Sequence, residues 1–337
     1  MRAIEISDGF GIDRLRMVER PDPAPDSGQL LLRMRAVSLN YRDWLMVTGK
    51  YNPKQPLPLI PCSDGAAEVL ACGEGVDGYQ PGDRVLPTFA PRWIEGRPTK
   101  EKLRTTLGGP LDGVLAQRMA VDASSVVRAP AHLDDVEAAC LPCAGVTAWN
   151  ALVVHGEVSS GDRVLVQGSG GVSIFALQLA RALGAEVWAI SGRDESLEKL
   201  CDLGAVEALN YRTVPEWGRE IRRRSGGGVD LVVDVGGAAT LPQSLAAVGL
   251  GGRICQVGNL GGETVKLNLI PLFMQQVRLQ GLLVGDRTSF EALNGLIEEK
   301  GLRPVVDQTL PWTEAGPALE YLAAGQQFGK VCLRIEE

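Results

Sequence analysis

The sequence predicts an α/β protein: a doubly wound parallel sheet preceded by a β-rich, barrel-like domain. Three observations predict it. Residues 163–205 read as strand, glycine turn, helix and second strand; strands alternate with helices from there to Gly285; and short strands broken by Gly, Pro and Asp clusters fill the chain up to Val127.

The first observation organises the rest. RVLVQ (163–167) is apolar and β-branched, Gly168-Ser169-Gly170-Gly171 follows, and apolar residues then recur with helical spacing from Val172 to Leu183 before a second buried strand, EVWAI. Such a unit of about 30 residues must cross over right-handedly onto a parallel sheet. Glycines there permit the tight turn and let the backbone approach a pyrophosphate, while unpaired N–H groups at the helix start favour the anion. This is a dinucleotide fingerprint, with Ser173 where Gly or Ala is usual at its third small position. An NAD-binding version places a carboxylate about 20 residues past the glycines, on the ribose hydroxyl. Here that position is Ser191, followed by Gly192-Arg193, which suit a 2′-phosphate, so the expected cofactor is NADP(H). Asp194 complicates this reading, and its place before Glu195-Ser196-Leu197 marks it as the start of the next helix.

Beyond the fingerprint come EALNY, a helix from Trp217, VDLVVDVGG, a helix near Leu241, GRICQVGN and VRLQGLLVG. Ligands in such sheets bind beyond the carboxyl ends of the strands, which nominates Val235, Gly236, Val257, Gly258, Asn259 and Val284 as cofactor contacts. The last 50 or so residues hold two helices and the strand KVCLRI, too little for a core, and are expected to return to the first domain. The expected domains are therefore 1–129 with 286–337, and 130–285. Residues 134–154, small and apolar after an acidic start, are expected to form a helix broken near Pro142 that leads into the second domain.

Bulk composition narrows the function. A net charge of -7 over 337 residues argues against a general nucleic-acid or anionic-membrane surface, and no apolar run reaches spanning length or forms a signal peptide. A cytosolic setting is expected. The seven cysteines are scattered and odd in number, as reduced thiols are; Cys140-Leu-Pro-Cys143 lacks the second pair or histidine that a metal finger needs. The basic run Arg92, Arg97, Lys100, Lys102 and Arg104 lies in a long irregular segment and reads as a solvated loop.

Taken together, the β-rich first domain, the fingerprint entered through a small-residue helix carrying Thr147, and the segments GDRVLVQGSGGVSIFALQLARALGA, ALNYRTVPEW, VDLVVDVGG and FGKVCL resemble the medium-chain dehydrogenase/reductase superfamily over essentially the whole chain. The resemblance implies a GroES-like catalytic domain beside a Rossmann domain, hydride transfer with a nicotinamide cofactor in the cleft between them, and a homodimer through Rossmann edge strands. It also implies that Thr147, Tyr211 and Lys330 contact the cofactor. The zinc-dependent members hold their metal with a cysteine, a His-Glu pair and a third ligand at positions that here look like Asn40, Ser63-Asp64 and Cys143. Only the thiol survives, whereas a catalytic zinc needs three good protein ligands. The chain therefore resembles the zinc-free quinone oxidoreductase and enoyl reductase branch, with LNYRD and TGKY segments. Tyr51, Tyr41 and Asn40 are the candidates to hydrogen-bond the substrate, Asp43 is expected to cap its helix and Asp64 to play a structural part. An alcohol dehydrogenase and a non-catalytic NADP(H)-binding sensor are the rival readings.

Overall fold

The computed structural model describes residues 1–336. Its strands are, in chain order, β1 (Arg2–Ile6), β2 (Leu15–Glu19), β3 (Gln29–Ser38), β4 (Asp64–Cys72), β5 (Arg84–Pro87), β6 (Arg118–Asp122), β7 (Val126–Arg128), β8 (Arg163–Gln167), β9 (Glu186–Ser191), β10 (Glu207–Asn210), β11 (Val229–Asp234), β12 (Val248–Gln256), β13 (Arg278–Gly281), β14 (Val306–Pro311) and β15 (Lys330–Arg334). The chain divides into two compact units, Met1–Val146 with Gly285–Glu337, and Thr147–Val284. The first crossing falls later than the sequence boundary at 129/130. The helix Asp135–Ala138, closed by an Asp134/Glu137 capping box, packs on β3 and β4 and so stays with the first unit. The helix breaks off after Ala138, close to Pro142 as expected, and from Leu141 to Val154 the chain continues as wide π-type turns flanking a short helix, Val146–Trp149.

In the first unit a seven-stranded sheet runs β14-β15-β3-β4-β5-β7, with β6 also on β3. β3 alternates buried and part-exposed residues up to Ala36, so Leu30, Leu32 and Met34 enter one core. Trp312, Leu319, Val331 and Leu333 complete that core, which is why the C-terminal segment belongs here. Pairing register does the rest: Ser38, the last residue of β3, lies opposite Asp64 on β4 and opposite Cys332 on β15. Residues about 40, 64 and 330 are thereby drawn to one end of the sheet.

The second unit is a six-stranded parallel sheet in the order β10-β9-β8-β11-β12-β13. From β8 the chain first winds outward through β9 to β10, then returns to β11 on the other flank. β8 and β11 thus frame the switch point where such sheets bind ligands. The last strand is shorter than expected, ending at Gly281, and a short helix, Ile270–Met274, that the sequence did not announce precedes it. Among the described residues no helix is long and apolar enough to cross a membrane.

Candidate active site

In the second unit the site is built of backbone. Gly168 turns the chain at φ 79°, with its N–H donating to the Ile190 carbonyl at 2.7 Å, and Gly170 caps the helix Gly171–Ala182. A Cβ on Gly168 or Gly170 would meet only open space, so the turn leaves a cradle above the first N–H groups of Gly171, Val172 and Ser173. Ser173 has its own reason: its hydroxyl donates to the Gln167 carbonyl at 2.5 Å and staples the helix to β8.

At the end of β9, the buried Ser191 hydroxyl accepts from the Arg193 N–H at 3.3 Å, and Arg193 Nη2 donates to Ser169 Oγ at 3.2 Å. The guanidinium is thus held over the glycine turn. Tyr211 lies alongside, 40% exposed, its hydroxyl so close that a Cβ at residue 192 would come within 2.5 Å of it. Asp194 opens the next helix, Asp194–Asp202, as expected, and its carboxylate accepts from Asn210 Nδ2 at 2.6 Å.

One organising group was missed by the sequence analysis. Asp234, at the end of β11 and fully buried, accepts from the N–H groups of Gly236 and Gly237 at 3.0 Å, from Thr240 Oγ1 at 2.7 Å, from Ser244 Oγ at 2.6 Å and from Gln167 Nε2 at 3.3 Å. It shapes the loop containing Val235 and Gly236, onto which Val257, Gly258 and Asn259 pack: the Val257 N–H donates to the Asp234 carbonyl at 2.8 Å, and a Cβ on Gly237 would lie 2.8 Å from the Asn259 Cα. The available signal was a strand-end Asp followed by two glycines, Thr240 and Ser244. Val284, last residue of the unit, sits at φ 44°, a strained conformation for a β-branched side chain. Thr147 is buried at the unit's start.

In the first unit the site is built of side chains. Asn40 caps the helix Tyr41–Val47 in a box with Asp43, whose carboxylate accepts from the Asn40 N–H at 2.8 Å. Lys330, expected among the cofactor residues, lies here, 3% exposed; its ammonium donates to Asn40 Oδ1 at 2.6 Å and to the Leu39 carbonyl at 2.7 Å. Asn40 Nδ2, itself buried, is turned to the Asp64 carboxylate, whose charged form it favours. Asp64 itself accepts from Ser63 Oγ at 2.6 Å and the Cys143 N–H at 2.9 Å. Burial raises its carboxyl above the usual range, with the Lys330 ammonium opposing. Burial likewise pushes Asp43 up to about 6, against the Arg42 guanidinium.

Arg42 donates to the Leu107 and Gly109 carbonyls at 2.7 and 3.1 Å, and its guanidinium lies 5.3 Å from the Tyr51 ring centre and 4.9 Å from that of Phe89. Tyr51 is 47% exposed, and Tyr41 leans on Trp44 with ring centres 5.3 Å apart. Neither phenol has a hydrogen bond among the described residues. Among those residues no group of three His, Cys, Asp or Glu side chains is placed to hold a metal ion. The donors present fit zinc poorly: burial and the Asp64 charge push the Cys143 thiol up, and an ammonium already lies on Asn40.

The two halves match known proteins. Residues 26–131 match the family model of the alcohol dehydrogenase GroES-like domain and residues 171–299 that of the zinc-binding dehydrogenase. The chain is 38% identical over 334 residues to a zinc-type alcohol dehydrogenase-like protein of Schizosaccharomyces pombe, covering 97% of this chain and 96% of that one. The chain belongs to the medium-chain dehydrogenase/reductase superfamily. This superfamily member is also 30% identical to an acryloyl-coenzyme A reductase of Metallosphaera sedula over 326 residues, 94% of this chain and 95% of the other. A solved NAD-dependent alcohol dehydrogenase shares its fold with a TM-score of 0.91 at 32% identity, each chain covered to 100%. The protein is an oxidoreductase with a GroES-like and a Rossmann domain, and its cofactor is a nicotinamide dinucleotide.

Proposed function

We propose that the protein is an NADPH-dependent, zinc-independent reductase of quinones and α,β-unsaturated carbonyl compounds. The observation that carries this reading is Asn40: an amide whose oxygen is already taken by the Lys330 ammonium, standing where the zinc-dependent members place a ligand. The bound cofactor supplies the hydride. In conjugated acceptors hydride adds to an activated carbon and charge collects on the distant oxygen, so the protein must position the acceptor and donate one hydrogen bond to that oxygen. Tyr51 or Tyr41, both exposed, donates it and supplies the proton, with Asn40 holding the Lys330 ammonium beneath them. Arg193, Ser191 and Tyr211 bind the 2′-phosphate; Asp194, engaged with Asn210, does not oppose it. The relative named for an acryloyl substrate, itself a conjugated carbonyl, supports the acceptor class.

We further propose a homodimer through the β13 edge, where Leu269, Ile270, Phe273, Met274 and Leu279 are exposed, and a cytosolic setting for the reaction. Light scattering of Phe273→Asp tests the dimer: a shift to monomer supports it, an unchanged mass argues against it. For the activity, EDTA-treated protein is offered NADPH with 1,4-benzoquinone, oct-3-en-2-one and octanal, and NADH as control. Turnover of quinone or enone with NADPH preferred is the expected result. Turnover of octanal alone, restored by zinc, would replace this reading with alcohol dehydrogenase chemistry, and NADPH binding without turnover would replace it with a sensor.

A further inference from the structure

Each half of a doubly wound sheet takes one mononucleotide of a bound dinucleotide. In the second unit the β8–β10 half carries the glycine turn and, at the end of β9, the position that faces the adenosine ribose. The loops after β11 and β12 are therefore left to the nicotinamide half. Those two loops are laced into one body. The Leu260 N–H donates to the Val235 carbonyl at 3.3 Å, the Gly261 N–H to the Gly236 carbonyl at 2.7 Å, and the Ala238 N–H to the Gly262 carbonyl at 3.1 Å. Beneath them lies Asp234, fully buried, so its carboxylate touches no ligand itself. Its two oxygens divide the work. Oδ1 accepts from the Gly236 and Gly237 N–H groups and the Thr240 hydroxyl, which bend the first loop. Gln256 Nε2 lies 3.4 Å from the same oxygen and also donates to the Gly258 carbonyl, so it reaches the second loop. Oδ2 accepts from Ser244 and Gln167, which anchor the carboxylate to the helix Leu241–Ala247 and to β8. A buried anion is costly unless its donors satisfy it, and here they are neutral groups gathered from both loops.

We propose that Asp234 is a positioning residue for the nicotinamide half of the cofactor: directly and through Gln256 it holds loops 235–240 and 257–262 in the arrangement that receives that half. The groups so presented are the part-exposed Val235, Val257 and Gly258 and the exposed Asn259. Loops fixed before the cofactor arrives spare it the entropy of ordering them, so affinity is the quantity that Asp234 sets. The glycine turn does not depend on it, since main-chain carbonyls hold that turn: Ile190 takes the Gly168 N–H and Gln167 the Ser173 hydroxyl. No proton leaves Asp234 and no bond forms to it. The role goes with the cofactor class and stands whichever acceptor is reduced.

The test sets each dinucleotide against its adenosine-side fragment by isothermal titration: NADPH against adenosine 2′,5′-bisphosphate, and NADH against ADP. The pair that the wild type binds more tightly is read in Asp234→Ala and Asp234→Asn. In Asp234→Ala the dinucleotide should bind about tenfold more weakly or worse, while the fragment stays within about twofold. Asp234→Asn should recover most of that loss. Its Oδ1 still serves Gly236, Gly237 and Thr240, and Gln167, whose Oε1 has no partner among the described residues, turns its amide to meet the new amino group. Equal weakening of dinucleotide and fragment would reduce Asp234 to general support of the unit and overturn the role, as would an unchanged dinucleotide Kd in Asp234→Ala. Should Asp234→Ala fail to fold, Gln256→Met decides, because it cuts the link to Gly258 and leaves the bonds of the first loop in place. It should weaken the dinucleotide about fivefold, spare the fragment and speed amide hydrogen exchange over 257–262. Unchanged dinucleotide affinity there would overturn the proposal. A wild type that prefers NADH would sink the NADPH reading alone, since the same comparison then runs on NADH and ADP.

Discussion

Each unit buries a carboxylate at the carboxyl or amino end of a central strand, and the two are treated differently. Asp234 in the Rossmann unit is surrounded by neutral donors, two backbone N–H groups, two hydroxyls and two amides, which tie its loop to the neighbouring strands and helix. Asp64 in the GroES-like unit has one hydroxyl, one N–H and the Asn40 amide, and its charge is set against a buried ammonium and a second acid, Asp43. The first is scaffolding for a site made of backbone. The second belongs to a cluster of charges, two carboxylates and an ammonium buried together. Both clusters leave buried oxygens unpaired, those of Gln167 and Gln256 beside Asp234 and one of Asp43 here, so it is charge and not satisfaction that separates them.

Three experiments would break or sharpen that contrast. The largest effect is expected from Asp234→Ala, which strands several buried donors at once and should destabilise the second unit by about 3–5 kcal/mol in urea unfolding. A loss below about 1 kcal/mol would mean that the loop does not depend on the carboxylate. Next comes pH. The folded Asp43 titrates near 6 against 3.8 for the free group, so its contribution to stability is full below about pH 4 and disappears as pH rises through 6. Relative to Asp43→Asn, which keeps the shape of the capping box, the wild type should therefore lose up to about 3 kcal/mol between pH 4 and 7. A difference independent of pH would contradict the burial on which that shift depends. The smallest effect falls on cofactor choice: Arg193→Ala should lower the preference for NADPH over NADH about 10- to 30-fold, read as a ratio of Kd values, the worth of one charge-assisted contact. An unchanged ratio would assign the 2′-phosphate to other groups.

Legibility in the sequence follows the same division. The glycine turn and its flanking strands were readable because each depends on neighbours within one short stretch. Even there, Ser173 read as a departure until its bond to the Gln167 carbonyl gave it a purpose. Asp234 passed unnoticed because a strand-end aspartate looks like the start of any polar loop until its donors, one of them as distant as Gln167, are in place. In the first unit the sequence nominated Asn40, Tyr41 and Tyr51 and gave Asp43 its capping role, which local spacing suffices to suggest. The bond from Lys330 to Asn40 was hidden, since nothing near FGK in the chain points to a residue 290 positions away.

By itself, then, the sequence determined the layering of the protein, the strand-turn-helix that receives a dinucleotide and the caps that start its helices. These rest on side-chain periodicity and backbone permissiveness, both properties of a few consecutive residues. The tertiary structure alone decided which polar groups share a dry environment. The pairing of β3 with β4 and β15 sets Asn40, Asp64 and Lys330 together, and a register shift of one residue would turn those side chains to the opposite face of the sheet. Electrostatic function at that cluster depends on distance and burial, which pairing across the sheet supplies and chain order does not.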